Sequence, residues 1–353
     1  MDEVIIIQET QMRYREDMLR AASLSLPWEK LQGCNILVTG ATGLIGSCLV
    51  EVLMMHSGGN YHVYAAGRNE ARAGKLFADY LNHPAFHFIV YDVLQPVCSH
   101  VTFHYIIHAA SNASPNYFAK QPVEVMKANL FGVCNLMDYG RQHDMCRFLY
   151  VSTGEVYGEG DGRVFTEDYS GYVNPMLPRS CYPSSKRAAE TLCASYASEY
   201  EADAVVARLS HVYGPRFTEN DNRAYAQFIR NVLRGEDIVM KSTGEQFRSW
   251  CYVVDAVKGL LFVLLKGQGG EAYNVADATS NISIRQLAEM VAEIGGRKVI
   301  VDVPANEEKK GYNPVTKSVF ATEKLESLGW CIKGTMREKM NTTIQECKRY
   351  EII

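Results

Sequence analysis

The stretch NILVTGATGLIG, residues 35–46, constrains the fold of this chain more than any other. Its apolar first half reads as a buried strand. Gly40, Gly43 and Gly46 then follow at the spacing of a tight turn that opens a helix. A strand ending on such a turn lets a pyrophosphate approach the backbone at a helix N-terminus, where the macrodipole favours an anion. Thr42, Leu44 and Ile45 stand between the glycines and belong to the same expected cofactor turn.

The pattern beyond residue 46 alternates in the same way. HVYAAG, FHFIVYD, HYIIHAA and RFLYVST read as strands, and AVVARLSHVYG reads as one more. Helical periodicity lies between them, as in Ile45 to Met55, Glu124 to Gln142 and Ser184 to Tyr200. The expected class is α/β: a Rossmann-type doubly wound parallel sheet over residues 33–214, binding NAD or NADP. Residues 215–353 are expected to form mainly a smaller α/β lobe for the substrate, with about 250–265 packing back on the first domain. Residues 1–32 carry Val4–Ile7, Met18, Leu19 and Trp28 and read as a helical extension docked on the domain or on a partner subunit.

Composition narrows the class. Hydrophobic content of 47% and charged content of 22% describe a soluble globular chain, and a net charge of -4 gives no footprint for nucleic acid. Ten cysteines without a CxxC pair, and nine histidines without ligand spacing, point to free thiols in a reducing cytoplasm and to no metal site. No run approaches membrane-spanning length, and the N-terminus has its charges in the wrong order for a signal peptide.

The second strand ends in Gly67-Arg68. An acid there would hold the ribose of NAD, whereas a guanidinium can pair with the 2′-phosphate of NADP or stack on adenine, so the pair leans to NADP. Asp92, closing FHFIVYD, is placed to meet the adenine amino group. SCYPSSK sets Tyr182 one helical turn before Lys186, on the same face. A lysine there, together with a nicotinamide cation, lowers the phenol pKa towards that of a usable base. The strand Phe148–Val151 stops at Ser152-Thr153-Gly154-Glu155, which offers two hydroxyls and a carboxylate at the end of a core strand.

These motifs, with HAAS, STGEVYG, VYGPR and RSWCYVVD in order, resemble the extended short-chain dehydrogenases/reductases that act on nucleotide sugars, over about residues 34 to 332. Within them the run from Glu167 to Leu192 is similar to the EDYxGxVNPxxPRSCYxxxKRxAETL of UDP-glucuronate decarboxylases. The EVYG element is shared with dTDP-glucose 4,6-dehydratases. The resemblance implies that Thr153 binds the sugar 4-hydroxyl, that Tyr182 takes its proton, that Glu155 acts near C5 and C6, and that Arg248 meets a substrate carboxylate. It adds Val93, Ala109, Ala110, Ser111 and Asn129 to the cofactor site, and Ser114, Gly154, His211, Arg216, Arg223 and Gln227 to the substrate site. It also implies a homodimer packed through two long helices per subunit, here Pro122–Gly140 and Ser184–Tyr200.

The chain departs from the family pattern at His211, where asparagine is usual, at Gly67-Arg68, and at GYNPVTKSV, which lacks an arginine-rich stretch. At position 154 the dehydratases carry an aspartate and the decarboxylases a serine. A glycine cannot protonate a departing hydroxyl, so the expected activity is decarboxylation. An epimerase, a 4,6-dehydratase and a non-catalytic NADP-binding regulator are the alternatives.

Overall fold

The structure is a computed structural model that describes residues 13–58, 60–303 and 316–349. The run Val4–Ile7 and most of the stretches VPANEEKKGYNP and GYNPVTKSV lie outside the described residues. Residues 13–22 form helix α1. There follow β1 (Asn35–Thr39), α2 (Leu44–Ser57), β2 (His62–Gly67), α3 (Glu70–Leu76), β3 (Phe86–Val90), β4 (Tyr105–His108), α4 (Pro115–Lys120), α5 (Pro122–Gln142), β5 (Arg147–Thr153) and α6 (Cys181–Tyr200). The chain continues through β6 (Ala204–Leu209), β7 (His211–Tyr213), α7 (Ala224–Leu233), β8 (Ile238–Met240), β9 (Phe247–Tyr252), α8 (Val253–Lys266), β10 (Ala272–Val275) and β11 (Asn281–Ser283). It closes with α9 (Ile284–Ile294), β12 (Val299–Val301), β13 (Lys317–Ser318), α10 (Glu323–Glu326) and α11 (Met336–Arg349).

The main sheet has seven strands in the order β10-β6-β5-β4-β1-β2-β3, every neighbouring pair parallel. Its strands are apolar on both faces because helices cover both. Ile36 and Val38 of β1 pack into one core with α2 and α8, while Leu37 turns to the other face, where α5 and α6 supply Val133, Leu136, Ala189 and Cys193. That alternation is the pleat of the strand. α1 buries Tyr14, Met18, Ala21 and Ala22 in the first core. It is tied down by His56, whose Nδ1 is 2.8 Å from the Ala22 carbonyl oxygen, and by Tyr252, which packs edge-on against Tyr14.

AVVARLSHVYG is not one strand. After Leu209 the Ser210 N–H donates to the Val275 carbonyl, and His211–Tyr213 then leaves the main sheet to pair with Trp250–Tyr252. The reason is the long β9, which pairs with β7, β11 and β13 and so organises a second sheet. The break carries the chain from the main sheet to the second one. α8, directly after β9, packs on β5, β6 and β10. Lys339 of α11 lies 2.8 Å from Asp255 of α8 and 3.6 Å from Asp277, all three buried. A buried pair of this kind fixes geometry more than it adds stability.

Candidate active site

Strand order reverses between β1 and β4, and the glycine turn meets the end of β4 there. Gly40 has φ +69°, and a Cβ on it would stand 2.7 Å from the carbonyl of Ala109 and the amide nitrogen of Ala110. A Cβ on Gly46 would stand 2.2 Å from the Gly40 carbonyl oxygen. Backbone touches backbone at both places, which only glycine permits. α2 begins at Gly43 with no capping side chain for its first N–H groups. This bare helix start at a switch point fits a dinucleotide pyrophosphate.

Gly67 closes β2 against Thr42, whose Oγ1 would lie 3.4 Å from a Cβ there. Arg68 follows and is exposed. Arg72, one turn into α3, donates from Nε to the Thr42 carbonyl at 2.9 Å and from Nη2 to the Arg216 carbonyl at 3.2 Å. Asp92 accepts the Leu94 N–H at 3.0 Å and lines a hollow of about 260 Å³ with Ala66, Gln95 and Phe103. The Val93 carbonyl accepts from Asn135 at 2.8 Å. Asn129, wholly buried, accepts from Ser111 and donates to Ser185, both at 2.9 Å. It braces the end of β4 against α6, so its amide is committed to the protein.

β5 ends at Thr153, whose Oγ1 accepts the Glu155 N–H at 3.3 Å as the chain enters the 3₁₀ turn Gly154–Tyr157. α6 opens at Cys181, putting Tyr182 and Lys186 one turn apart beneath that turn. The Tyr182 side chain is buried beside Thr153. Burial raises the phenol pKa, Glu155 raises it further, and Thr153, Arg223 and Arg179 oppose them. Lys186 donates to the Val151 carbonyl at 2.8 Å and lies 4.6 Å over the Tyr150 ring, against 5.9 Å to the Tyr182 ring. Burial draws this ammonium down to about 7. Lys186 thus shares the face of Tyr182, and its closest partners are the Val151 carbonyl and the Tyr150 ring.

Arg179 grips Glu155 with both terminal nitrogens, at 2.9 and 3.0 Å. Arg248 is buried on β9, its pKa drawn down to about 10 by burial against the opposing effect of Glu155. Between these groups stands Gly154. A Cβ there would lie 2.0 Å from Cζ and 2.5 Å from Cε1 of Phe320, so the phenyl ring fills the volume of any side chain at 154.

Arg216 is corrected as a diphosphate contact. It is 6% exposed and reaches away from the cleft, with Nη1 2.6 Å from Glu51 of α2 and its guanidinium 5.7 Å from the Tyr14 ring. Proline and glycine before it turn the chain so that the side chain enters the core beneath α1. Arg223 is chelated by Asp221, and Gln227 is on the exposed face of α7. The His211 ring lies 5.3 Å from that of Trp250, tilted by 54°, with an unpartnered Nδ1, and burial, Arg248 and Arg223 lower its pKa to about 3, so it is a neutral imidazole. Ser114, which precedes α4, donates to Asn222 at 3.2 Å and joins the two walls of the cleft.

Residues 36–276 match the family model of the NAD dependent epimerase/dehydratase family. The chain belongs to this family. Curated relatives include UDP-glucuronic acid decarboxylase 6 of Arabidopsis thaliana, 34% identical over 304 residues, which is 86% of each chain. UDP-glucuronic acid decarboxylase 1 of Xenopus tropicalis is 31% identical over 88% of this chain and 71% of its own. Among solved structures, the UDP-glucose 4-epimerase of Thermotoga maritima with UDP-glucose superposes with a TM-score of 0.77 at 26% identity, covering 90% of this chain and 99% of the other. The dTDP-glucose 4,6-dehydratase of Bacillus anthracis with NAD shares the fold, with a TM-score of 0.76 at 22% identity, over 90% and 98%.

For an epimerase/dehydratase family member, four residues at this site escaped sequence reasoning: Arg72, Arg179, Asn222 and Phe320. Arg72 was findable, since it lies one helical turn after Arg68 on the helix that Asn69 caps. Arg179 stood inside the quoted PRSCY run. Asn222 and Phe320 reach the site only through the second lobe, and no local spacing signals that. Among the described residues no helix is long and apolar enough to cross a membrane.

Proposed function

We propose that this protein oxidises C4 of a UDP-linked uronic acid and then decarboxylates it, as a UDP-glucuronate decarboxylase-like lyase. The observation carrying this reading is the turn itself: Thr153, Glu155 and Tyr182 are brought together, and position 154 is closed to an acid by Phe320. A bound nicotinamide dinucleotide supplies the hydride acceptor for C4 and a positive charge that helps the phenol ionise. Tyr182 takes the 4-hydroxyl proton, with Thr153 holding the oxygen. Oxidation makes the uronate a β-keto acid. The C5–C6 bond then breaks, carbon dioxide leaves, and the bonding pair passes to the C4 oxygen as an enolate, which is protonated at C5. No acid need touch a leaving hydroxyl, which suits Gly154. Incubation with UDP-glucuronate tests the reading by product mass: loss of carbon dioxide, with or without the two hydrogens taken at C4, is expected, and loss of water or an unchanged mass would overturn it.

The cofactor reading leans to NADP. Arg68 is exposed at the end of β2, where a 2′-phosphate would lie, and Arg72 is anchored next to it. Arg68→Ala should weaken NADP binding by roughly 1–3 kcal/mol while barely changing NAD, as calorimetry would read. Equal losses for both would leave Arg68 stacking on adenine. A homodimer through α5 and α6 accounts for the exposed Val123, Met126 and Phe131 on α5 and Tyr200 on α6. Sedimentation of a monomer alone at micromolar concentration would contradict it. The ten unpaired cysteines suit a reducing, cytoplasmic setting.

A further inference from the structure

One guanidinium links the two reactive halves of the site. Arg179 lies on the 3₁₀ turn Pro178–Ser180 that leads into α6 and therefore into Tyr182. Its fork takes both carboxylate oxygens of Glu155, and both side chains keep 20% exposure, so the pair is sheltered without being sealed. The guanidinium carbon also lies 4.6 Å from the centre of the Phe118 ring. Phe118 in turn stacks on Tyr182, with centroids 4.6 Å apart and planes at 23°. Phe118, Val125, Cys181 and Tyr182 form one small buried cluster.

Each contact has a consequence for the base. A bidentate fork fixes the plane of a carboxylate, which a point charge does not do. Cation–π contact holds the face of Phe118, and the stack holds the ring of Tyr182. We propose that Arg179 is a positioning residue for the C4 chemistry, fixing the Glu155 carboxylate beside the phenol and bracing the Tyr182 ring through Phe118. This rests on the functional reading above. Sequence spacing alone assigned Arg179 no role.

The charged and titratable groups around Tyr182 are Lys186 and Cys181 of its own helix, Tyr150 of β5, Glu155 of the following turn, Arg223 before α7, and Arg179. Glu155 makes the phenolate harder to form and Arg179 offsets it. Without the guanidinium, only Thr153 and Arg223 are left to oppose the carboxylate.

The test compares wild type, Arg179→Gln and Arg179→Lys as NAD-loaded full-length protein. One readout is ultraviolet difference titration of the phenol, referenced to the same protein carrying Tyr182→Phe. The other is the pH profile of carbon dioxide release from UDP-glucuronate. Arg179→Gln should raise the phenol midpoint and the rising limb of the rate profile together by about one pH unit. Its kcat should fall about tenfold or more with little change in KM. Arg179→Lys should return the midpoint towards wild type while kcat stays low, because an ammonium cannot hold both oxygens. An unmoved midpoint in Arg179→Gln, a loss confined to KM, or full kcat in Arg179→Lys would overturn the proposal. Should Arg179→Gln not fold, the kcat of Arg179→Lys still decides it. If wild type releases no carbon dioxide from UDP-glucuronate, the functional reading fails, while the titration still rules on Arg179.

Discussion

Tyr182→Phe is expected to fold, to bind the dinucleotide and to turn over roughly 100-fold or more slowly, the range a positioned general base supplies. The structure explains why the loss should be confined to chemistry. Phenylalanine keeps the ring that stacks on Phe118 and gives up only the hydroxyl beside Thr153. Turnover by product mass, cofactor affinity by calorimetry and a thermal melt measured together would check this. Activity near wild type would remove Tyr182 from the mechanism, and a large drop in melting temperature would mean that the loss is structural.

What the sequence carried well was local. The glycine turn, the strands around it and the pair Tyr182–Lys186 are defined by spacing within one strand–turn–helix or one helical turn, so a short window holds the whole signal. The partition of β1 between two cores follows from the same alternation. The failures were of direction and distance. Nothing in VYGPR says that Arg216 turns inward to Glu51, because that depends on α1 lying over α2. Likewise AVVARLSHVYG is apolar enough for one strand, and only the competing pairing of β9 splits it at Ser210. Lys186 was rightly placed on the face of Tyr182, but its ammonium found a carbonyl at 2.8 Å that periodicity could not foresee. The clearest such case is Gly154, whose meaning changes once its neighbour across the lobes is known.

Taken along the chain alone, Gly154 is a missing polar side chain, and a serine there should be mild. Phe320 reverses that expectation. Its ring is 3% exposed and is packed by Val156, Tyr157, Phe165 and Ala276, while its backbone N–H donates to Ser249 at 3.2 Å on the strand that carries Arg248. A Cβ at 154 would stand 2.0 Å from this ring, far inside contact distance, and the ring is held on every side. Gly154→Ser should therefore destabilise the protein by about 1–3 kcal/mol, the range for overpacking a filled core, and lower activity as well. Phe320→Ala should cost about 3–5 kcal/mol through the cavity it leaves. The two changes should not add: in the double variant the serine moves into the vacated space, and the coupling should recover at least about 1 kcal/mol. Gly154→Asp with Phe320→Ala carries the chemistry further, since it makes room for the acid that C–O cleavage needs and sets it beside Glu155, where like charge raises at least one of the two pKa values. In a uronate decarboxylase that variant should lose activity, because the added carboxylate repels the one on the substrate. Melts of the four proteins in the serine cycle, with product masses for the aspartate variant on UDP-glucuronate and a panel of nucleotide hexoses, would decide both points. A serine variant as stable as wild type would mean that Phe320 does not close position 154. Water loss gained by the aspartate variant, with no protein releasing carbon dioxide, would make this enzyme a dehydratase whose acid has been displaced by a phenyl ring.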